Sequence, residues 1–228
     1  MGYLIENGVL TKYYEEDGIT EVQVPEGVTS IGEYAFLDCS RLQRIILPCS
    51  VTGIGKGAFC GCTCLRQLLI PDHVTAFEKW LFTGCGSLTE LTYCGYTIDM
   101  TLCMRGDLNT SLFFEMMRTK NYGLIMDVLT KYYYAAQVYL KYREPEAEGY
   151  IRKRHQLMFM DFIDIGDYET VRNLLETDRF VSEKDLSVLI DYAIGFADRG
   201  GDRQIQISLM DYKYKKYPGS ARLDELPF

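Results

Sequence analysis

Val-Thr-Ser-Ile-Gly-Glu-Tyr-Ala-Phe-Leu-Asp-Cys, residues 28–39, returns 23 positions later as Val-Thr-Gly-Ile-Gly-Lys-Gly-Ala-Phe-Cys-Gly-Cys, residues 51–62. A looser third copy, Val-Thr-Ala-Phe-Glu-Lys-Trp-Leu-Phe-Thr-Gly-Cys, occupies residues 74–85. Upstream of each copy the same interval holds. Ile19, Leu42, Leu65 and Leu88 align, as do Val22, Ile45, Leu68 and Leu91, then Val24, Leu47, Ile70 and Tyr93, then Pro25, Pro48 and Pro71. Inside the copies the aligned sets are Val28/Val51/Val74, Ile31/Ile54/Phe77, Ala35/Ala58/Leu81, Phe36/Phe59/Phe82 and Cys39/Cys62/Cys85. So many columns in one register mark a structural repeat, and a period of this length is that of a solenoid.

Each unit reads as a short strand, at residues 21–24, 44–47, 67–70 and 90–93, with alternate side chains turned inward. A proline that cannot continue a ladder closes the first three. The Val-Thr-x-Ile-Gly segment then re-enters the core, and Ala-Phe with a later Cys suggests a helical turn packed on the strand layer. One such unit cannot bury its apolar face alone, so the units must stack and the open ends of the stack must be covered. At the front, Tyr3-Leu4-Ile5 and Val9-Leu10-Thr11 flank Glu6-Asn7-Gly8, and Asn-Gly is a strong hairpin signal, so residues 3–14 are expected to form a capping hairpin. At the back, the cap falls to the helical half.

Strand, proline and the 28–39 stretch together resemble the BspA-like class of bacterial leucine-rich repeats, over residues 19–93. The resemblance implies a scaffold of the kind used for surface antigens, adhesion and protein interaction. Ala76-Phe77-Glu78-Lys79-Trp80-Leu81 departs from the pattern, as a terminal repeat beside a cap is expected to.

From Thr110 the apolar spacing becomes helical: Leu112, Phe113, Met116 and Met117, then Leu124, Ile125, Val128, Leu129 and Tyr132. Ser182 with Asp185 reads as a capping box, Val181 and Leu186 as its hydrophobic staple, and Pro145 between Glu144 and Glu146 as another helix entry. A second repeat appears at an offset of 35, Gly166-Asp167 through Leu174-Leu175 matching Gly201-Asp202 through Leu209-Met210. It is similar to the second helix of ankyrin-type pairs, without the Thr-Pro-Leu-His signature. The expected fold is therefore an α/β repeat solenoid with an N-terminal hairpin cap, residues 1–98, followed by an all-α, helix-pair domain, residues 99–228.

Composition narrows the function. With 47% hydrophobic residues the chain can fill a core. The net charge of −8 spreads over both halves, with 6 Lys and Arg against 11 Asp and Glu in residues 1–98 and 18 against 21 in residues 99–228, so neither offers a basic footprint for nucleic acid or an anionic membrane. Arg152-Lys153-Arg154 and the lysines at 213, 215 and 216 read as solvated helix faces. Met1–Leu10 lacks the basic start and apolar run of a signal peptide, and a cytoplasmic location is expected.

Cys39, Cys62 and Cys85 share one column and read as buried structural thiols at a crowded inner turn. Structural zinc calls for Cys-x2-Cys or Cys-His pairs, and His73 and His155 lie far apart, so no metal or cofactor is expected. Three adjacent tyrosines, Tyr132 to Tyr134, cannot all face one way on a helix, which turns at least one ring outward, either as boundary packing or as part of a partner-binding face with Tyr139 and Tyr142.

No phosphate loop, dinucleotide fingerprint, nucleophile elbow or His-Glu-x-x-His helix is present, and Asp161, Asp164 and Asp167 read as a solvated edge rather than a carboxylate cluster. The chain is expected not to be an enzyme. If Ile45 and Leu47 face inward, Ile46 faces outward, and the same alternation exposes Gln23, Leu69 and Thr92 in a stacked row flanked by Glu21, Arg44, Gln67 and Glu90. An apolar centre with a polar rim suits a protein partner. The alternative is a scaffold that covers this row with a second copy of itself, as a homo-oligomer. A metal-dependent hydrolase stands third.

Overall fold

The computed structural model describes residues 2–103 and 108–219. The strand of each repeat forms where the alternation places it, as β3 (Glu21–Gln23), β5 (Arg44–Ile46), β7 (Gln67–Leu69) and β9 (Glu90–Tyr93). These strands pair in parallel and in the register of the repeat, Val22 opposite Ile45, Ile45 opposite Leu68 and Leu68 opposite Leu91, all four buried. The Val-Thr-x-Ile segment supplies a second short strand per coil, β4 (Ser30–Ile31), β6 (Gly53–Ile54) and β8 (Ala76–Phe77), again paired in parallel. Four stacked coils with two sheets result, a β-solenoid whose interior is filled by the repeat columns.

The third side of each coil differs from expectation. Residues 33–39 and their copies form successive turns, not a helical turn. The N–H groups of Ala35, Leu37 and Cys39 donate within the coil to Gly32, Tyr34 and Phe36, while those of Tyr34, Phe36 and Asp38 donate to Lys56, Ala58 and Cys60 of the next coil at 2.8–2.9 Å. A helix would keep every N–H for itself. Here every second one ties neighbouring coils together. Left-handed residues in two columns enforce this, Tyr34, Gly57 and Trp80 with φ of 53°, 59° and 62°, and Asp38, Gly61 and Gly84 with φ of 57°, 77° and 81°.

Both ends of the stack are closed. The expected hairpin forms from β1 (Gly2–Glu6) and β2 (Val9–Tyr14), with Asn7 and Gly8 both at positive φ, and β2 then pairs with β4 as though it were a preceding coil. At the other end β10 (Tyr96–Ile98) folds back on β9 through Cys94 and Gly95, both at positive φ. That second hairpin went unread in the sequence, because Cys-Gly lacks the side-chain signature that marks Asn-Gly.

Helices α1 (Met100–Cys103) and α2 (Thr110–Thr119) follow, and α2 finishes the other sheet. The carbonyls of Ile31 and Ile54 accept N–H groups from Gly55 and Glu78 of the next coil. Phe77, last in that column, has no further coil, and the Ser111 hydroxyl donates to its carbonyl while Thr110 donates to that of Glu78 at 2.6 Å. Two hydroxyls thus replace a missing strand and satisfy an edge that would otherwise invite pairing.

An aromatic spine runs through the stack. Tyr13, Phe36, Phe59 and Phe82 succeed one another at ring separations of 5.4, 5.6 and 6.1 Å, and Phe114 of α2 closes the series against Phe82 at 6.1 Å and Phe77 at 3.9 Å.

By compactness the chain divides into Met1–Gln137 and Val138–Phe228, so the change from repeat to helical pattern at 98/99 is not the edge of a compact unit: α1, α2 and the start of α3 (Val128–Tyr142) group with the coils. Over Tyr132–Ala136, α3 is buried on every face. The expectation that one of Tyr132, Tyr133 and Tyr134 points outward fails for that reason. A stretch of helix enclosed on all sides has no outer face, and of the tyrosines on α3 Tyr142, at its end, is the exposed one.

After the end of α3, the described residues of the second unit form two helix pairs, α4 (Pro145–Asp164) with α5 (Tyr168–Glu176) and α6 (Glu183–Asp198) with α7 (Arg203–Lys216). Contacts run within each pair and between pairs, α4 on α6 and α5 on α7, which is the arrangement the 35-residue offset implies. Asp167 and Asp202, equivalent in that offset, cap α5 and α7. Pro145 opens α4 with Glu144 as its cap, and Ser182 with Asp185 forms the expected capping box at α6.

Burial raises the Asp185 carboxyl, but hydrogen bonds from the Ser182 hydroxyl and N–H and the Gln156 amide outweigh it and hold it at about 2, below its ordinary 3.8. A folded value below the unfolded one stabilises above the unfolded value, and the contribution is lost as pH falls through the folded one. Asp185→Asn is therefore expected to cost about 0.5–2 kcal/mol near neutral pH, the usual worth of a cap. Urea titrations repeated at pH values down to about 2 should show the two proteins converging.

Candidate protein-interaction surface

The alternation that buries Val22, Ile45, Leu68 and Leu91 turns their neighbours to solvent. Gln23, Ile46, Leu69 and Thr92 lie side by side in ladder register, one per coil. Leu69 is 36% exposed, Gln23 is exposed, and Ile46 and Thr92 are half-buried. The row continues onto β10, where the Thr97 and Thr92 hydroxyls meet at 3.0 Å.

Two residues earlier on each strand stands the polar flank, Glu21, Arg44, Gln67 and Glu90, likewise in register. It is tied pairwise, Arg44 to Glu21 at 3.4 Å and the Gln67 amide to Glu90 at 2.5 Å. Beside it runs a column that sequence reasoning passed over because it precedes the strands: Thr20, Gln43, Arg66 and Thr89. The two columns enclose a groove of about 440 Å³. Only the 23-residue offset between these positions could have drawn attention to them beforehand.

The thiol column lies inside the stack. Cys39, Cys62 and Cys85 are at most 3% exposed, and the Cys62 and Cys85 thiols donate to the carbonyls of Phe36 and Phe59 at 3.2 and 3.0 Å. Hydrogen bonding with Cys39 and Cys85, together with burial, pushes the Cys62 thiol far above its ordinary range. Burial inside the stack gives the three thiols packing positions in the core. All eight cysteines are free. The aspartates near the end of α4 are separately engaged, Asp164 accepting from Tyr192 at 2.6 Å and Asp167 capping α5. Among the described residues no three His, Cys, Asp or Glu side chains are grouped to hold a metal ion, and no helix is long and apolar enough to cross a membrane.

Comparison with protein families matches residues 10–101 to the BspA type leucine rich repeat region, in six copies. The coils are BspA-type leucine-rich repeats. Among solved structures, the chain is similar to a leucine rich repeat protein of T. pallidum, with 30% identity over 40% of this chain and 45% of that one and a TM-score of 0.36. It is also similar to a leucine rich cell surface protein of Faecalibacterium prausnitzii, with 21% identity over 39% and 35% of the two chains and a TM-score of 0.24. The chain thus spans less than half of either relative. No curated protein matches it.

Proposed function

We propose that the protein is a non-enzymatic protein-interaction module that binds its partner through the outward face of β3, β5, β7, β9 and β10. The observation that carries this reading is the in-register row Gln23–Ile46–Leu69–Thr92, two adjacent aliphatic side chains presented on a rigid sheet and edged by paired polar groups. Such a patch has the composition of an interface centre and its rim, and the stack fixes it without the entropy cost of ordering a loop. Leucine-rich-repeat folds serve mostly as binding scaffolds, which supports the same reading. The column of free thiols favours a reducing compartment, the cytoplasm, as the place of action.

Ile46→Asp combined with Leu69→Asp places charge at the centre of the patch while leaving the inward residues untouched. Partners that co-purify with the unaltered protein should be lost from the double variant, which should stay folded at a cost of about 1–3 kcal/mol, since Ile46 is half-buried and the two aspartates stand opposite each other in the ladder. Retention of every partner by a folded double variant contradicts the proposal. Sedimentation at micromolar concentration separates hetero-association from self-assembly: a dimer that dissociates on the same two substitutions identifies the partner as a second copy of the chain.

A further inference from the structure

We infer that the groove beside the apolar row is a carboxylate-reading site, and that the partner presents an Asp or Glu side chain next to an aliphatic one. The inference rests on the interaction face proposed above and specifies the chemistry of what it holds.

Two basic groups of the coils outside the groove are committed to acids. Arg41 is committed to Asp17 and Glu15, and Lys56 to Glu33 at 3.0 Å. Arg66 is exposed, and its guanidinium has no ion-pair or hydrogen-bond partner among the described residues. Arg44 has one long contact, 3.4 Å to Glu21, and its Nε–H is covered without a hydrogen-bond partner. The two arginines stand on adjacent coils, whose strands run about 4.8 Å apart in a parallel ladder, in neighbouring columns, and both line the same groove. Two like charges lining one groove repel each other, and a carboxylate between them offsets the repulsion and gains charge-assisted, fork-shaped hydrogen bonds.

The ends of the groove carry the opposite sign. Glu21 and Glu90 flank the arginines on the first and last coils. They oppose a polyanion such as nucleic acid and leave room for one isolated carboxylate at the centre. Arg44 and Ile46 are two residues apart on one strand and face the same way, which sets the charge-reading and apolar subsites about 7 Å apart. An extended peptide with an acidic residue and a Leu, Ile or Val two positions away repeats that spacing.

Selection of a display library of random linear dodecapeptides on the whole chain tests this. Enriched sequences should share an Asp or Glu two positions from an aliphatic residue. Binding of the synthetic consensus peptide should weaken at least about tenfold, one Arg–carboxylate contact's worth, in Arg44→Gln/Arg66→Gln. It should weaken similarly when the peptide's acid is replaced by its amide, and the two losses should not add. The arginine variant should remain folded, with a melting curve close to the original, because the one ion pair it removes, Arg44 with Glu21 at 3.4 Å, is long and partly exposed.

Peptides without an acid, or unaffected by the arginine variant, overturn the carboxylate site. If Ile46→Asp/Leu69→Asp still abolishes their binding, the interaction face stands without it. Peptides insensitive to both variants, or a selection that enriches nothing, overturn both.

Discussion

Phe114→Ala is expected to cost about 3–5 kcal/mol, the usual range for an aromatic removed from a packed core. Phe114 is fully buried and lies flat on Phe77 at 3.9 Å, with the edges or faces of Phe82, Tyr93 and Phe113 at 6.1, 5.3 and 5.7 Å. Its ring meets four others where the stack ends. In a solenoid each coil is held by its neighbours, so loosening the terminal plug lets the last coil fray. Urea denaturation should register the loss, and hydrogen exchange should locate it in β8 and the turns at 80–85, with β2 and β4 still protected. Uniform loss of protection along all coils would mean that the stack melts as one body and that α2 is no separate cap.

Phe59→Ala should cost a similar 3–5 kcal/mol but distribute it differently. Phe59 sits in the middle of the spine, stacked on Phe36 at 5.6 Å and Phe82 at 6.1 Å, and its carbonyl accepts the Cys85 thiol. Removing it weakens two coil interfaces at once and leaves a cavity that the tied turns on either side cannot collapse to fill. Since natural domains are stable by only about 5–15 kcal/mol, the variant should populate a state in which both sheets lose protection. Chemical denaturation with exchange read at Val22, Ile45 and Leu68 checks this; a loss below about 1 kcal/mol would show that the spine is ornamental to stability.

The repeat columns were legible because in a stacked coil one side chain per position meets its own copy 23 residues on, and the core condition is therefore written several times. The outward placement of Ile46 and Leu69 follows from the same columns. The turns at 33–39 were not legible as turns. Ala-Phe-x-x-Cys has the spacing of a helical face, and what decides otherwise is the left-handed backbone of two columns, which Tyr34 and Trp80 do not signal and which only the glycines at 57, 61 and 84 mark in the later copies. The role of Ser111 and Thr110 was equally hidden, because a hydroxyl that completes a sheet edge looks in sequence like any residue at the start of a helix. Arg66 was missed because it precedes its strand and gains meaning only from the neighbouring coil. The tyrosine run misled because helical alternation predicts an outer face that an enclosed helix does not have.

The central claim is that the partner sits on the strand face. Hydroxyl-radical footprinting of the protein with and without a partner that co-purifies with it reads that face directly. The account predicts protection at residues 20–23, 43–46, 66–69 and 89–92, with the turn side at 33–38, 56–61 and 79–84 unchanged. Protection of the turn side or of α4–α7, with Ile46 and Leu69 as reactive as before, would contradict it.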